Sequence, residues 1–215
     1  MYEIFGLKRL LQVFACLCGL VTVAFWWGFD PAGSMIGYVR YIFSAVTAGM
    51  FLIWIVGETA LFPRLCRLPL LNHLLPDLDG HWEGTLQSNW TRVQQRSVDL
   101  APQPDLLNIP VEVTITARLF FVHIELVSAR DYTRSRTLAV RPSKDPETGR
   151  LRLSYVFEST SKTPQPGDSA VHHGAAYLEL FDVTGDSRLE GIYWTNRNWS
   201  QGLNTAGTIT LHRKR

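Results

Sequence analysis

The 139 residues from Asp77 to Arg215 contain no cysteine. A secreted disulfide scaffold is thereby excluded, because it needs an even, spaced set of thiols in its globular part. Cys16, Cys18 and Cys66 all lie in or just beyond apolar runs. They read as small hydrophobic side chains in a reducing compartment, with acylation of Cys66 as the rival. Net basic charge is missing too. Residues 77–215 hold 16 basic and 16 acidic side chains, so the formal +2 of the chain resides in residues 1–76. A balanced tail argues against DNA or RNA as partner, since phosphate backbones are met with net positive charge. No glycine-rich loop leads from a strand into a helix, and no serine-centred nucleophile elbow occurs. The six histidines lack metal-ligand spacing, His172 and His173 being adjacent rather than a helical turn apart. Asp77 and Asp79 fall in a linker, where solvation accounts for them. These absences point away from an enzyme, a metal site or a resident cofactor.

What residues 1–76 do have is apolar length. Leu10 to Phe29 runs for 20 residues without a charge, roughly 30 Å of helix and one hydrocarbon thickness. Lys8 and Arg9 precede it, and Trp26 and Trp27 sit near its far end, where amphipathic rings favour the interface. A turn at Asp30-Pro31-Ala32-Gly33-Ser34 reverses the chain into a second span over about 35–62, with Arg40 and Glu58 able to snorkel outward. A cleaved signal peptide is the rival for the first run, opposed by its length and by the second span that follows at once. Gly37, Ser44, Ala45, Ala48 and Gly49 put small residues on the second helix, suited to packing within the hairpin or between subunits. Lys8, Arg9, Arg64 and Arg67 flank the pair on one side, so the positive-inside rule places both termini, and the whole tail, in the cytoplasm. The expected organisation is a hairpin over 1–66, a linker over 67–76 and a cytoplasmic domain over 77–215.

Beyond the linker the apolar period changes to two. Leu151, Leu153, Tyr155 and Phe157 alternate with Arg152, Ser154 and Glu158, and Val111, Val113 and Ile115 with Glu112, Thr114 and Thr116. Eight strands are expected, at about 80–88, 111–118, 120–128, 135–141, 150–159, 174–182, 188–196 and 207–213. Pro146-Glu147-Thr148-Gly149 and Thr184-Gly185-Asp186-Ser187 supply turns. The fold class is a membrane α-hairpin plus an eight-stranded up-and-down antiparallel barrel, lipocalin-like, with a two-sheet sandwich as the alternative. Residues 88–108 and 159–173 break the pattern and read as long loops, either gating a barrel mouth or merely excursions on the surface.

Aromatic and amide-rich sequence concentrates in the first and last strands, which pair in a closed barrel. Trp82, Trp90, Tyr193, Trp194 and Trp199 offer stacking surfaces, while Asn89, Thr195, Asn196, Asn198 and Arg197 add donors and acceptors. Rings stack on a nucleobase, amides read its edge and Arg holds a phosphate. The competing reading makes Trp82 and one of Tyr193 or Trp194 the plug of a barrel end. Periodicity adds Tyr155 as a strand-borne candidate. Arg118 is in phase with Glu112, Thr114 and Thr116, which would turn it outward.

The two spans, the short linker, the G-x-W-x-G opening (Gly80, Trp82, Gly84) ending in Asn89-Trp90, and the closing Tyr193-Trp194-Thr195-Asn196-Arg197 with G-x-I-x-L resemble the membrane-anchored β-barrel effectors of CBASS anti-phage operons. The resemblance covers nearly the whole chain, although G-x-W-x-G also opens lipocalin-type barrels. It implies a cyclic dinucleotide as activating ligand, made by a partner nucleotidyltransferase. It further implies homo-oligomerisation of the hairpins and inner-membrane disruption that kills the infected cell. Two readings of other kinds stand beside it. One is a tethered carrier of an apolar ligand, its interior lined by Phe120, Val122, Leu138, Leu153 and Phe157. The other is an inner-membrane scaffold whose barrel is filled by side chains.

Overall fold

The computed structural model describes residues 1–28, 35–94, 105–128, 132–164, 169–183 and 186–214. It divides into two compact units, Met1–Asp77 with Arg118–Phe120, and Leu78–Ala117 with Phe121–Arg215.

The first unit is helical. After a single turn, α1 (Tyr2–Phe5), come α2 (Leu7–Gly28) and α3 (Met35–Glu58), then two short helices, α4 (Leu61–Cys66) and α5 (Pro69–Asn72). Leu7–Trp27 and Gly37–Glu58 are long and apolar enough to cross a membrane. Two of the small residues of α3 pack within the hairpin. Ala45 and Gly49 are buried, and a Cβ on Gly49 would stand 2.9 Å from Cys18 Sγ and 3.3 Å from Phe14 Cε2. Ser44 is exposed and takes no part in that contact. Thr22 donates its hydroxyl to the Cys18 carbonyl at 2.8 Å and Thr47 to that of Phe43 at 2.9 Å, satisfying two polar groups inside apolar helices. Cys66 is buried at 3 % exposure, so its thiol is not presented for acylation. The linker is partly helical. Pro69 opens α5 at the first helical position, where a missing N–H costs nothing. The turn at 30–34 lies outside the described residues.

The second unit is a closed antiparallel barrel in the order β1 to β8, as the period-two alternation leads one to expect. The strands are β1 (Gly80–Ser88), β2 (Leu107–Ala117), β3 (Val122–Ser128), β4 (Thr133–Lys144), β5 (Leu151–Ser161), β6 (Val171–Val183), β7 (Asp186–Thr195) and β8 (Ala206–Arg213). Closure is made by β1, which pairs with β2 on one side and β8 on the other. At that seam Gly84 allows the backbones to approach: a Cβ there would fall 2.8 Å from Leu211 Cα. Strand β5 alternates buried and more exposed positions along its whole length.

Strand boundaries differ from the sequence reading by up to four residues. Strand β2 begins at Leu107, and β6 at Val171 rather than at residue 174. The pair His172-His173 hides the start of β6, because one ring points in and the other out. In β4 a bulge between Thr137 and Ala139 leaves both Leu138 and Ala139 facing solvent, so strict alternation fails there. The segment 88–108 is not wholly a loop, since Trp90–Gln94 forms a helical turn, α6. Its remaining stretch at 95–104, residues 165–168 of the other long loop, and Thr184-Gly185 lie outside the described residues.

One end of the barrel is solid. Trp82, Leu78, Val113, Leu153, Leu178, Leu189 and Leu211 are essentially inaccessible. Trp82 Nε1 donates to the Leu78 carbonyl at 3.1 Å, which removes the one polar atom the ring would otherwise bury unpaired. The β4–β5 turn closes over this end, with Asp145 Oδ1 accepting from the Glu147 and Thr148 N–H groups at 2.9 and 2.7 Å. Gly149 takes the positive φ of +69° that the turn needs.

Candidate functional site

The other end is hollow. Inward positions that are leucine at the packed end become aromatic midway and hydroxyl-bearing at the strand ends, and the resulting cavity has a volume of about 420 Å³. Tyr155, Phe157 and Tyr193, with Leu86 and Ile209, form its deeper wall. Tyr155 and Phe157 pack with ring centroids 6.0 Å apart at 50°. Gly174 on β6 gives the Phe157 ring its place. A Cβ there would lie 2.9 Å from Phe157 Cε2, closer still to its Cζ, and 2.5 Å from the Trp194 carbonyl oxygen.

Above the rings runs a belt of hydroxyls: Ser88, Ser128, Ser135, Ser159, Thr195 and Thr205, all buried. They are satisfied by one another and by backbone, as buried polar atoms must be. Ser135 Oγ donates to Ser159 Oγ at 3.0 Å. Thr195 and Thr205 share a hydrogen bond of 2.8 Å. Thr133 N donates to Ser128 Oγ at 2.9 Å, and Trp90 N to Ser88 Oγ at 3.2 Å. His172 adds an imidazole to the same layer.

At the mouth stand Trp90 and Gln94 of α6, Tyr132, and Arg197 from the segment after β7. The Arg197 guanidinium lies over the Trp90 ring, 4.1 Å from its centroid, a cation–π pair between two segments far apart in sequence. Burial pushes the hydroxyls of both Tyr155 and Tyr193 above the ordinary tyrosine range. For Tyr193 a hydrogen bond with Ser88 and the charge of Arg197 oppose that shift. Both phenols therefore stay neutral near pH 7 and can donate. The arrangement offers stacking surface, neutral donors and acceptors, and the Arg197 guanidinium at the entrance. Among the described residues no cluster of three or more His, Cys, Asp or Glu side chains is placed to hold a metal.

Of the candidates read from sequence, Trp90, Tyr155, Tyr193, Thr195 and Arg197 line this cavity. The others stand elsewhere. Trp82 is in the solid end, as the plug reading had it. Trp194 follows Tyr193 and so points outward, 48 % exposed. Trp199 sits on a short 3-10 turn, Trp199–Gln201, and is 72 % exposed. Two of the asparagines tie strand ends. Asn89 Oδ1 accepts from Ala206 N at 2.9 Å, and Asn196 Oδ1 from His173 N at 2.8 Å. Arg118 lies in the turn after β2, outside any strand. Phe120 and Leu138, expected inside by the apolar-carrier reading, are exposed, and Leu153 belongs to the packed end. A barrel filled along its whole length is ruled out by the cavity. Sequence reading missed the serines, Thr205, Gln94, Tyr132 and His172. Their signal was position rather than type, each of the serines lying in the inward phase within three residues of a strand end.

A closed eight-stranded barrel, packed at one end and hollow at the other, is a receptor for a small ligand by architecture. The relationship to known proteins makes the class specific. Residues 73–213 match the model of the Cap15 cyclic dinucleotide receptor domain, and the chain belongs to that family. A relative named CD-NTase-associated protein 15, from Escherichia albertii, is 27 % identical over 146 residues, 67 % of this chain. The match spans 66 % of that relative's length.

Proposed function

We propose that the cavity binds a cyclic dinucleotide delivered by a partner nucleotidyltransferase of an anti-phage system, and that binding is not followed by catalysis. The observation that carries this is the layered lining. Aromatic rings lie deep, buried hydroxyls ring the strand ends, and Arg197 is held at the mouth over Trp90. Such a lining suits stacked bases joined by phosphodiesters. A fatty acid would offer nothing to the donor and acceptor capacity that the belt's internal hydrogen bonds leave over, whereas phosphodiesters can use it. The volume of about 420 Å³ falls in the range of small-molecule sites. Trp90, Tyr155, Tyr193, Thr195 and Arg197 are the proposed contacts, with the serines and Thr205 added to them.

In the same proposal residues 1–66 anchor the chain in the inner membrane, 67–76 link and 77–215 sense from the cytoplasm. The ligand favours an assembling state, and the hairpins of several copies then disrupt the bilayer. A ligand shifts that equilibrium only through a difference in affinity between the states. Full-length protein in micelles, titrated with cyclic di-AMP, cyclic di-GMP, cyclic AMP–GMP and a fatty acid while Trp fluorescence is followed, tests the reading. Saturable quenching by a cyclic dinucleotide, with the ligand recovered intact, is expected. A response to the fatty acid alone would overturn it.

A further inference from the structure

The hydroxyl belt has an internal symmetry. In an eight-stranded closed barrel the β3–β4 and β7–β8 connections stand four strands apart, on opposite sides of the mouth. Each carries the same construction. Leu126, Val127 and Ser128 end β3 facing in, out and in, and Tyr193, Trp194 and Thr195 end β7 likewise. On one side Thr133 N donates to Ser128 Oγ at 2.9 Å. On the other Thr205 N donates to Thr195 Oγ1 at 3.3 Å. In both places the residue opening the next strand or just preceding it gives its backbone N–H to the hydroxyl that ends the previous one. Ser128, Thr133, Thr195 and Thr205 all line the cavity.

The chemistry of the two niches is also the same. A hydroxyl oxygen that accepts a backbone N–H keeps its own proton to donate elsewhere. Ser128 is in that state. Thr195 and Thr205, 2.8 Å apart, share one proton between their oxygens, and the second O–H has, from Thr195, only the Thr205 carbonyl at 3.5 Å, a contact long enough for a stronger acceptor to displace. Each niche therefore presents a fixed neutral donor at the rim. A cyclic dinucleotide has two phosphodiesters on opposite sides of its ring, related by a two-fold axis that is approximate when the bases differ.

We propose that the two niches, Ser128 with Thr133 and Thr195 with Thr205, each receive one phosphodiester of the ligand, so that its two-fold axis lies along the barrel axis. This rests on the reading of the cavity as a cyclic dinucleotide site. The bases then hang inward toward the Leu86, Phe157 and Tyr193 layer. Arg197, whose backbone N–H donates to Thr195 Oγ1 at 3.4 Å, follows the second niche and carries its guanidinium over Trp90 at the same mouth.

The test uses full-length protein in micelles and whichever of cyclic di-AMP, cyclic di-GMP and cyclic AMP–GMP binds the wild type most tightly. Ser128→Ala and Thr195→Val each remove one donor to an ionised group, and each is expected to weaken binding about ten- to a hundred-fold. The double variant is expected to lose roughly the product of the two. Ser128→Thr and Thr195→Ser keep a hydroxyl and should bind within a few-fold of wild type, with all variants checked by thermal melting. Loss at one niche and none at the other overturns the two-fold arrangement while leaving the receptor reading intact. So does a hydroxyl-retaining variant that melts normally yet binds as poorly as its hydroxyl-free counterpart. Absence of binding to the wild type by the whole panel is a different result and removes the receptor reading itself.

Discussion

Gly174 is the position where one methyl group interrogates both packing and site. Its φ lies outside the left-handed region, so backbone strain does not enter and the effect of Gly174→Ala is steric. The added Cβ would fall 2.9 Å from Phe157 Cε2 and 2.5 Å from the Trp194 oxygen, where about 3.5 Å or more is comfortable between carbons. The oxygen belongs to the β6–β7 ladder, in which Gly174 stands opposite Thr195, so it cannot retreat without loosening that pair. The ring can retreat only into the cavity. Overpacking of this kind costs about 1–3 kcal/mol. For a domain of this size that is a fall of roughly 3–10 °C in the melting temperature of the barrel. Because the displaced ring occupies ligand space, affinity should fall alongside stability, about ten-fold or more. Gly149→Asn is the control. No heavy atom lies within 4 Å of its added Cβ, and asparagine tolerates the φ of +69° there. It should melt within a degree or two of wild type and bind normally. Differential scanning fluorimetry with and without ligand reads both quantities. If Gly174→Ala melts and binds like Gly149→Asn, the account of Gly174 as the seat of the Phe157 ring is wrong.

Two further outcomes follow from the electrostatics. Arg197→Ala should weaken ligand binding about ten-fold or more and make what remains less sensitive to salt, as isothermal titration at two ionic strengths will show, whereas Arg197→Lys keeps the charge and should lose less. The Asp145 carboxyl is held below the usual carboxylate range, first by the Thr148 N–H, with further hydrogen bonds from Thr148 and Glu147 and the charge of Arg152 also lowering it. Its stabilising contribution is therefore present above the unfolded carboxyl pKa near 3.9 and is lost as pH falls through the lower folded value. Asp145→Asn should flatten that acid part of the melting-temperature profile, and a profile unchanged by the substitution would refute the assignment.

How legible the site was depended on the kind of information each residue carries. Strand β5 could be read at once, because every second residue from Leu151 to Phe157 is apolar and buried. Alternation also sorts the YWT run correctly once its phase is fixed: Tyr193 and Thr195 inward, Trp194 outward. Residue type alone cannot fix that phase, since all three are plausible ligand contacts. The belt escaped notice for a related reason. Ser128, Ser135 and Ser159 look like ordinary strand-end polar residues, and only closure of the barrel converts three separate strand ends into one ring. The same holds for Trp90 and Arg197, more than a hundred residues apart, whose contact is a consequence of β1 lying beside β8 and β8 beside β7. The asparagines misled in the opposite direction. Asn89 and Asn196 are amide groups beside a mouth, but their oxygens are committed to Ala206 N and His173 N, which holds the rim in register rather than reading a ligand.

The division of the barrel into a solid end and a hollow one also bears on how a ligand could have a large effect. Burial of Trp82 and the leucines around it supplies stability at the end that no ligand touches. The hollow end gives up such burial and replaces it with hydroxyls whose hydrogen bonds are made mostly between neighbouring strands: β4 to β5 through Ser135 and Ser159, β3 to β4 through Ser128, and β7 to β8 through Thr195 and Thr205. A ligand that bonds to these groups redistributes contacts between strands rather than within one. Its binding energy can then be spent on the relative positions of strand ends. Moving a two-state equilibrium from one part in a hundred to its reverse requires about 5.5 kcal/mol of differential binding. Two or three charge-assisted hydrogen bonds made in one state and not the other are of that size. In the proposed complex a belt of shared hydroxyls facing two phosphodiesters can supply that number, whereas Arg197 by itself cannot.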